Sequence, residues 1–190
     1  VTTRGNGGDD IFIDDQDRQQ FLTVLGEVVS RAGWKVYAYV LMDNHVHLLV
    51  TADGPGGVSM MMQRLGRRYV AGFNRRHGRT GTLWEGRFKS SLVGSDEHVL
   101  ACYRYIELNP VRARMVSEAG AFRWSSHAGN ALGRMDPLLT PHTCYRALAA
   151  APEARVEAYR AICQQGSQSP GPGAGAVAHP MRYGPASAFN

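Results

Sequence analysis

A chain of 190 residues with 44% hydrophobic content can bury one full core, and its length argues for one domain with an appendage rather than several. Its 21 Lys and Arg outnumber 16 Asp and Glu for a formal charge of +5 and a pI ≈ 9.4, which favours an anionic partner, nucleic acid above all. No apolar run approaches the roughly 18 residues of a membrane helix, no signal peptide is visible, and Cys102, Cys144 and Cys163 form no CxxC, so neither a zinc knuckle nor a disulfide framework is indicated and a reducing cytoplasm fits best.

Along the chain, "VTTRG" at residues 1 to 5 has the β-branched residues and turn glycine of a strand end, and a start at Val1 rather than Met leaves room for a preceding segment. Residues 14 to 32 place Phe21, Leu22, Leu25, Val28 and Val29 at helical spacing after an acidic first turn. "WKVYAYVLM" reads as a strand, Asp43-Asn44 as a tight turn, and "HVHLLVT" as the antiparallel partner. Residues 58 to 77 form a second helix with Met61, Leu65, Tyr69 and Phe73 on one side. "TLWEGRFKSSLV" returns as a strand, and "SDEHVLACYRYIEL" as a third helix with Ser95 or Asp96 as its N-cap. The order is that of an α+β, ferredoxin-like βαββαβ unit, one antiparallel sheet with helices packed on it. We expect a catalytic domain over 1–126, short helices in an extension over 127–165, and a flexible Gly, Pro, Ala and Ser tail over 166–190.

Chemistry enters at "LMDNHVHLLV". Alternate residues of a strand share a face, so His45 and His47 stand side by side while Val46, Leu48 and Val50 take the other face. Two adjacent imidazoles suit a divalent metal, although one could cap a turn and the other be a hydrogen-bonded core histidine. In "YRYIELNP", Tyr105 and Asn109 are four apart and share a helix face, whereas Tyr103 is rotated well away from Asn109. The plain alternative is that Tyr105 packs in the core and Asn109 caps a following helix that begins with Pro110. It leaves the histidine pair unexplained. Taken together, the residues suggest a metal held by His45, His47 and Asn109, with Tyr105 as a nucleophile on a phosphodiester.

Three stretches, "MDNHVHLLV", "FNRRHGRTGTLWEGRFKS" and "YRYIELNPVRARMV", in this order and spacing, resemble the REP-associated tyrosine transposases, an IS200-like branch of the HUH single-tyrosine transposase superfamily. The likeness runs from Val1 to Ser126. It implies that His45 and His47 are the HUH metal ligands, Asn109 the third ligand and Tyr105 the nucleophile, with Mg²⁺ or Mn²⁺ as the cofactor. It further implies a single-stranded DNA partner carrying a REP-like palindromic hairpin, a 5′-phosphotyrosine intermediate, a free 3′-OH, and a nucleoid-associated bacterial protein acting as a monomer rather than a dimer.

Arg64, Arg67, Arg68 and Arg75 project from the second helix opposite its apolar stripe, followed by Arg76, His77 and Arg79. Acids are nearly absent between Ala52 and Leu83, so these arginines are expected to lack local partners and to meet phosphates. Arg87 and Lys89, interleaved with Trp84 and Phe88, add the charge and stacking surface that suit unpaired nucleotides, although Trp84 fits a core position equally well. Arg112 and Arg114 extend the surface. The reading is a metal-dependent enzyme that nicks and rejoins single-stranded DNA at palindromes. Its rivals are a non-catalytic hairpin-binding protein descended from such an enzyme and a phosphodiesterase in which water attacks.

Overall fold

The acidic turn near the start of the chain acts as a helix cap: the Asp14 carboxylate accepts from the backbone N–H groups of Gln16 and Asp17, at 2.9 and 3.1 Å, and opens α1 (Asp15–Ala32). Gly33 closes the helix in the left-handed region, with φ 68, where a side chain would be strained. This computed structural model describes residues 1–168, with side-chain placement through residue 165.

Three strands form one antiparallel sheet in the order β1 (Thr2–Arg4), β3 (His45–Thr51), β2 (Lys35–Met42). The turn at Asp43-Asn44 sets Met42 opposite His45. The strand expected around Trp84 to Lys89 touches β1 at two isolated bridges, Gly5 with Trp84 and Thr2 with Lys89. Five residue steps on its side answer three on β1, so the backbone bulges between the bridges, helped by Gly86 at φ 79. Its place beyond β1 still completes the ferredoxin-like order of segments.

The two faces of the sheet carry different helices. Val36, Tyr39 and Leu41 of β2 and Val46 and Leu48 of β3 pack with Phe21, Leu25 and Val28 of α1 and with Met61, Leu65, Tyr69 and Phe73 of α2 (Gly57–His77). A register irregularity between Val36 and Ala38 turns Tyr37, Ala38, Val40 and Met42 to the opposite face. There they meet Val99, Tyr103 and Ile106 of α3 (Asp96–Glu107), which is capped by Ser95.

Short helices follow as expected: α4 (Asn109–Arg112), α5 (His127–Asn130) and α6 (Thr143–Arg146). The last element departs from expectation. Residues from Pro152 form a 17-residue helix, α7 (Pro152–Gln168), that continues past the predicted start of the tail at Gly166. Its Tyr159 and Cys163, four apart, are both buried with Tyr145 in the core under α3, a periodicity that outweighs the helix-weakening glycine at 166. The rest of the predicted tail lies outside the described residues.

Candidate active site

β3 turns Val46 and Leu48 into the α1/α2 core and leaves His45 and His47 on the α3 face, their ring centroids 5.0 Å apart and nearly perpendicular. Pairing with β1 sets Thr2 opposite His47 and Arg4 opposite His45. Each imidazole is held through Nδ1: His45 by Asn44 Oδ1 at 2.7 Å, His47 by Thr2 Oγ1 at 2.9 Å. That leaves Nε2 of each ring as the atom available for ligation, with the other nitrogen fixing its orientation. Burial, reinforced by the Arg4 charge, lowers the His45 pKa against an opposing hydrogen bond from the ring to Asn109. Burial, followed by the charge of His45, pushes His47 down to about 4. Both rings are therefore neutral near pH 7, the form in which imidazole binds a metal.

The third helix and the short α4 after it bring the remaining residues. Tyr105 is 46% exposed, and its ring lies 5.6 Å from that of His47, whereas Tyr103 is fully buried against Tyr145 and Tyr159. The core tyrosine of "YRY" is Tyr103, and Tyr105 does not pack in the core. Asn109 does not cap α4 either: Leu108 occupies that position without a side-chain hydrogen bond, and the Asn109 side chain acts on His45, favouring its protonated form. Arg112, on α4, stacks its guanidinium 5.0 Å from the centre of the Tyr105 ring.

Beside the histidines lies a cavity of about 260 Å³, lined by Arg4, Glu85, Arg87 and Lys89 together with Thr2, Thr3 and both rings. The bulge between the two bridges to β1 carries Glu85 and Arg87. Arg87 also borders a larger, mostly apolar groove of about 890 Å³ between α2 and this segment, lined among others by Arg67, Trp84, Phe88 and Met60. Trp84 is half-buried and serves both ends of the earlier alternative, packing on the core while facing the groove.

The expectation that the second-helix arginines lack acidic partners fails for two of them. Arg68 pairs with Glu27 and Arg76 with Asp14 and Asp17, all from α1, and His77 also contacts Asp17 at 3.0 Å. The acids are distant in sequence and adjacent in space. Arg64 stacks on Trp34 and Arg79 on Phe73, while Arg75 is exposed near the end of α2. Arg114, beyond α4, is also exposed.

A sequence model of the family described as "Transposase IS200 like" matches residues 9–109, more than half of the chain. The chain belongs to the IS200-like transposase family. Among solved structures this transposase is similar to a REP-associated tyrosine transposase bound to a REP hairpin, with a TM-score of 0.59 and 17% identity over 75% of this chain and 84% of the other. At that identity the likeness speaks for the fold. No curated protein matches it.

The matched stretch spans the histidine pair and ends at Asn109. Three contributors to this region escaped sequence reasoning. Thr2 and Arg4 act through strand register, which three residues of β1 do not announce, and Glu85 sits on a bulge that reads as regular strand. Among the described residues no helix is long and apolar enough to cross a membrane.

Proposed function

We propose that this transposase cleaves and rejoins single-stranded DNA at hairpin-forming palindromes, with Tyr105 as the attacking group and a divalent cation, Mg²⁺ or Mn²⁺, held by His45, His47 and Asn109. The observation that carries the reading is the meeting of an exposed tyrosine with two neutral, pre-oriented imidazoles across the sheet–helix boundary. The donor set fits such a cation: two imidazole nitrogens with their partner nitrogens engaged and one amide within reach of the first ring. When bound, the cation would polarise the scissile phosphodiester and offset its developing charge.

The protein's own groups do the rest. The Tyr105 oxygen gives up its proton and attacks phosphorus, and the 3′-oxygen of the upstream strand departs and is protonated to a free 3′-OH. The downstream DNA is then joined to Tyr105 through its 5′-phosphate. Attack by a 3′-OH reverses the step and releases the tyrosine, so bond energy is conserved through both halves. Arg112 sets a positive charge beside the attacking ring. Arg4, Arg87 and Lys89 line the adjoining cavity, where strand phosphates would sit, and Arg64, Arg67, Arg75 and Arg79 extend the basic surface over α2. We assign residues 1–126 to catalysis and 127–165 to an extension that supports α3, with the whole acting as a monomer.

The test is a pool of single-stranded oligonucleotides, each with a stable hairpin and randomised flanks, incubated with the protein and Mn²⁺. The expected product is a protein–DNA species that survives denaturing electrophoresis and is lost in EDTA. Cleavage at an undiminished rate in EDTA would remove the cation from the reading.

A further inference from the structure

On the side of α3 away from the histidines, one residue is buried and charged. Glu107 is the last residue of the helix, two positions after Tyr105, so its side chain leaves the helix on the opposite side from that tyrosine. It is 0% exposed. Its Oε1 accepts from Ser126 Oγ at 2.6 Å and Asn130 Nδ2 at 2.7 Å, and its Oε2 from the Tyr159 hydroxyl at 2.9 Å, with His127 Nδ1 3.4 Å away. These groups come from α5 and the residue before it and from α7. Cys163 also lies near the carboxylate, but three donors already occupy its two oxygens, which makes the cluster a polar anchor rather than a cation cage.

The anchors are themselves tied to the sheet. Ser126 Oγ accepts from the backbone N–H of Tyr39 at 3.0 Å, and Asn130 Nδ2 donates to the carbonyl of Tyr37 at 3.1 Å. Both residues belong to β2, whose Val40 and Met42 pair with His47 and His45. A closed path therefore runs from Tyr105 and Asn109, through Glu107 and its anchors, into β2, and across one ladder to the histidines. Apolar packing alone lets a helix roll or slide by fractions of an ångström at little cost. A carboxylate held from two sides does not.

We propose that Glu107 is a positioning residue that fixes the rotation of α3, so that Tyr105 and Asn109 meet His45 and His47, and that the C-terminal extension thereby sets the geometry of the reaction. The proposal rests on the reading of Tyr105 as the nucleophile. It accounts for a buried carboxylate in a helix whose other buried residues, Val99, Tyr103 and Ile106, are apolar or aromatic. It also gives the extension a function beyond covering the sheet.

Glu107→Ala strands three buried donors, Ser126, Asn130 and Tyr159, and is expected to compromise folding, so the informative variants are Glu107→Gln, which keeps the shape, and Tyr159→Phe, which removes one hydroxyl. The full chain would carry 3-fluorotyrosine at position 105 and be observed by fluorine NMR without DNA or metal. Both variants should shift or broaden the Tyr105 resonance although neither residue touches that ring. At saturating hairpin oligonucleotide and Mn²⁺, Glu107→Gln should slow adduct formation roughly 10- to 100-fold, the scale of an ångström-level misplacement, with hairpin affinity held within about twofold. An unchanged resonance together with an unchanged rate, even with a lowered melting temperature, overturns the proposal and leaves Glu107 a stabilising residue only. A Tyr105→Phe control separates the two claims: an adduct that persists there refutes the nucleophile assignment, while a resonance that still moves upholds the anchoring of α3 by Glu107.

Discussion

The two faces of the sheet are built for different purposes. Between the sheet and α1 and α2 the packed cluster is apolar, with Phe12, Phe21 and Tyr69 in edge and tilted ring contacts between 5.1 and 5.7 Å, and the buried Asp17 and Arg18 of α1 are ion-paired with Arg76 and Asp43. On the α3 side the strands present two partly buried histidines, and α3 and the extension add a buried carboxylate and the hydroxyls that bind it. One face supplies stability through volume and contact, and the other gives up packing for groups that must stay polar and aimed. A fold that separates these demands can alter its chemistry without losing its core.

The largest expected effect comes from breaking the apolar face. Phe21→Ala should cost about 3–5 kcal/mol in a urea melt, since it removes a fully buried ring and leaves a cavity. The opposite face should behave otherwise. His47→Ala should move stability by less than about 1 kcal/mol while abolishing cleavage, because the ring is held by one hydrogen bond and contributes little to the core. Similar losses of stability in both variants would erase the distinction between the faces.

Acidification sharpens the comparison further. Both histidines titrate below their ordinary value of 6.5, and His47 near 4, so the neutral form of His47 persists well into acid. Mn²⁺ affinity, followed by titration calorimetry, should be flat from pH 8 to about 6 and fall as the pH approaches 4. The linked stability has the same sign. A folded pKa below the unfolded one contributes stability that is complete above about 6.5 and declines on the way down to the folded value. Affinity that collapses at pH 6.5 would show that the rings are not held neutral by burial.

A smaller effect distinguishes the arginines of α2. Arg67→Gln should lower the salt slope of hairpin binding by about one, the signature of one lost phosphate contact. Arg68→Gln should lower it less, because Glu27 already compensates that charge. Equal slopes would mean that the ion pair opens freely to the DNA.

Much of this was legible in the sequence. The alternation of "HVHLLV" told which residues share a face, and the four-residue spacing of Tyr105 and Asn109 singled out the exposed tyrosine of the two, the one beside His47. What escaped depended on contacts between distant parts of the chain. The acids that neutralise Arg68 and Arg76 lie on α1, the partner of His47 lies at Thr2, and the donors around Glu107 come from α5 and α7. The spacing of Val156, Tyr159 and Cys163 could have revealed α7, but the glycine and the polar residues beyond it read as the start of a tail. Periodicity reports which way a residue faces, and pairing across the fold decides what it meets.

The most direct measurement is to map the residue that becomes covalently attached to DNA. With Mn²⁺ and a hairpin oligonucleotide, the denatured adduct should carry the DNA on the 3′ side of the cut through its 5′-phosphate, and proteolysis should place the attachment at Tyr105. Tyr105→Phe should eliminate the adduct while hairpin affinity stays within about twofold, since only a phenolic oxygen is lost. Tyr103→Phe should retain the adduct, because its hydroxyl is buried and accepts from the backbone N–H of His142 at 3.2 Å. Attachment at Tyr103, or cleavage that leaves no adduct at all, would contradict the account.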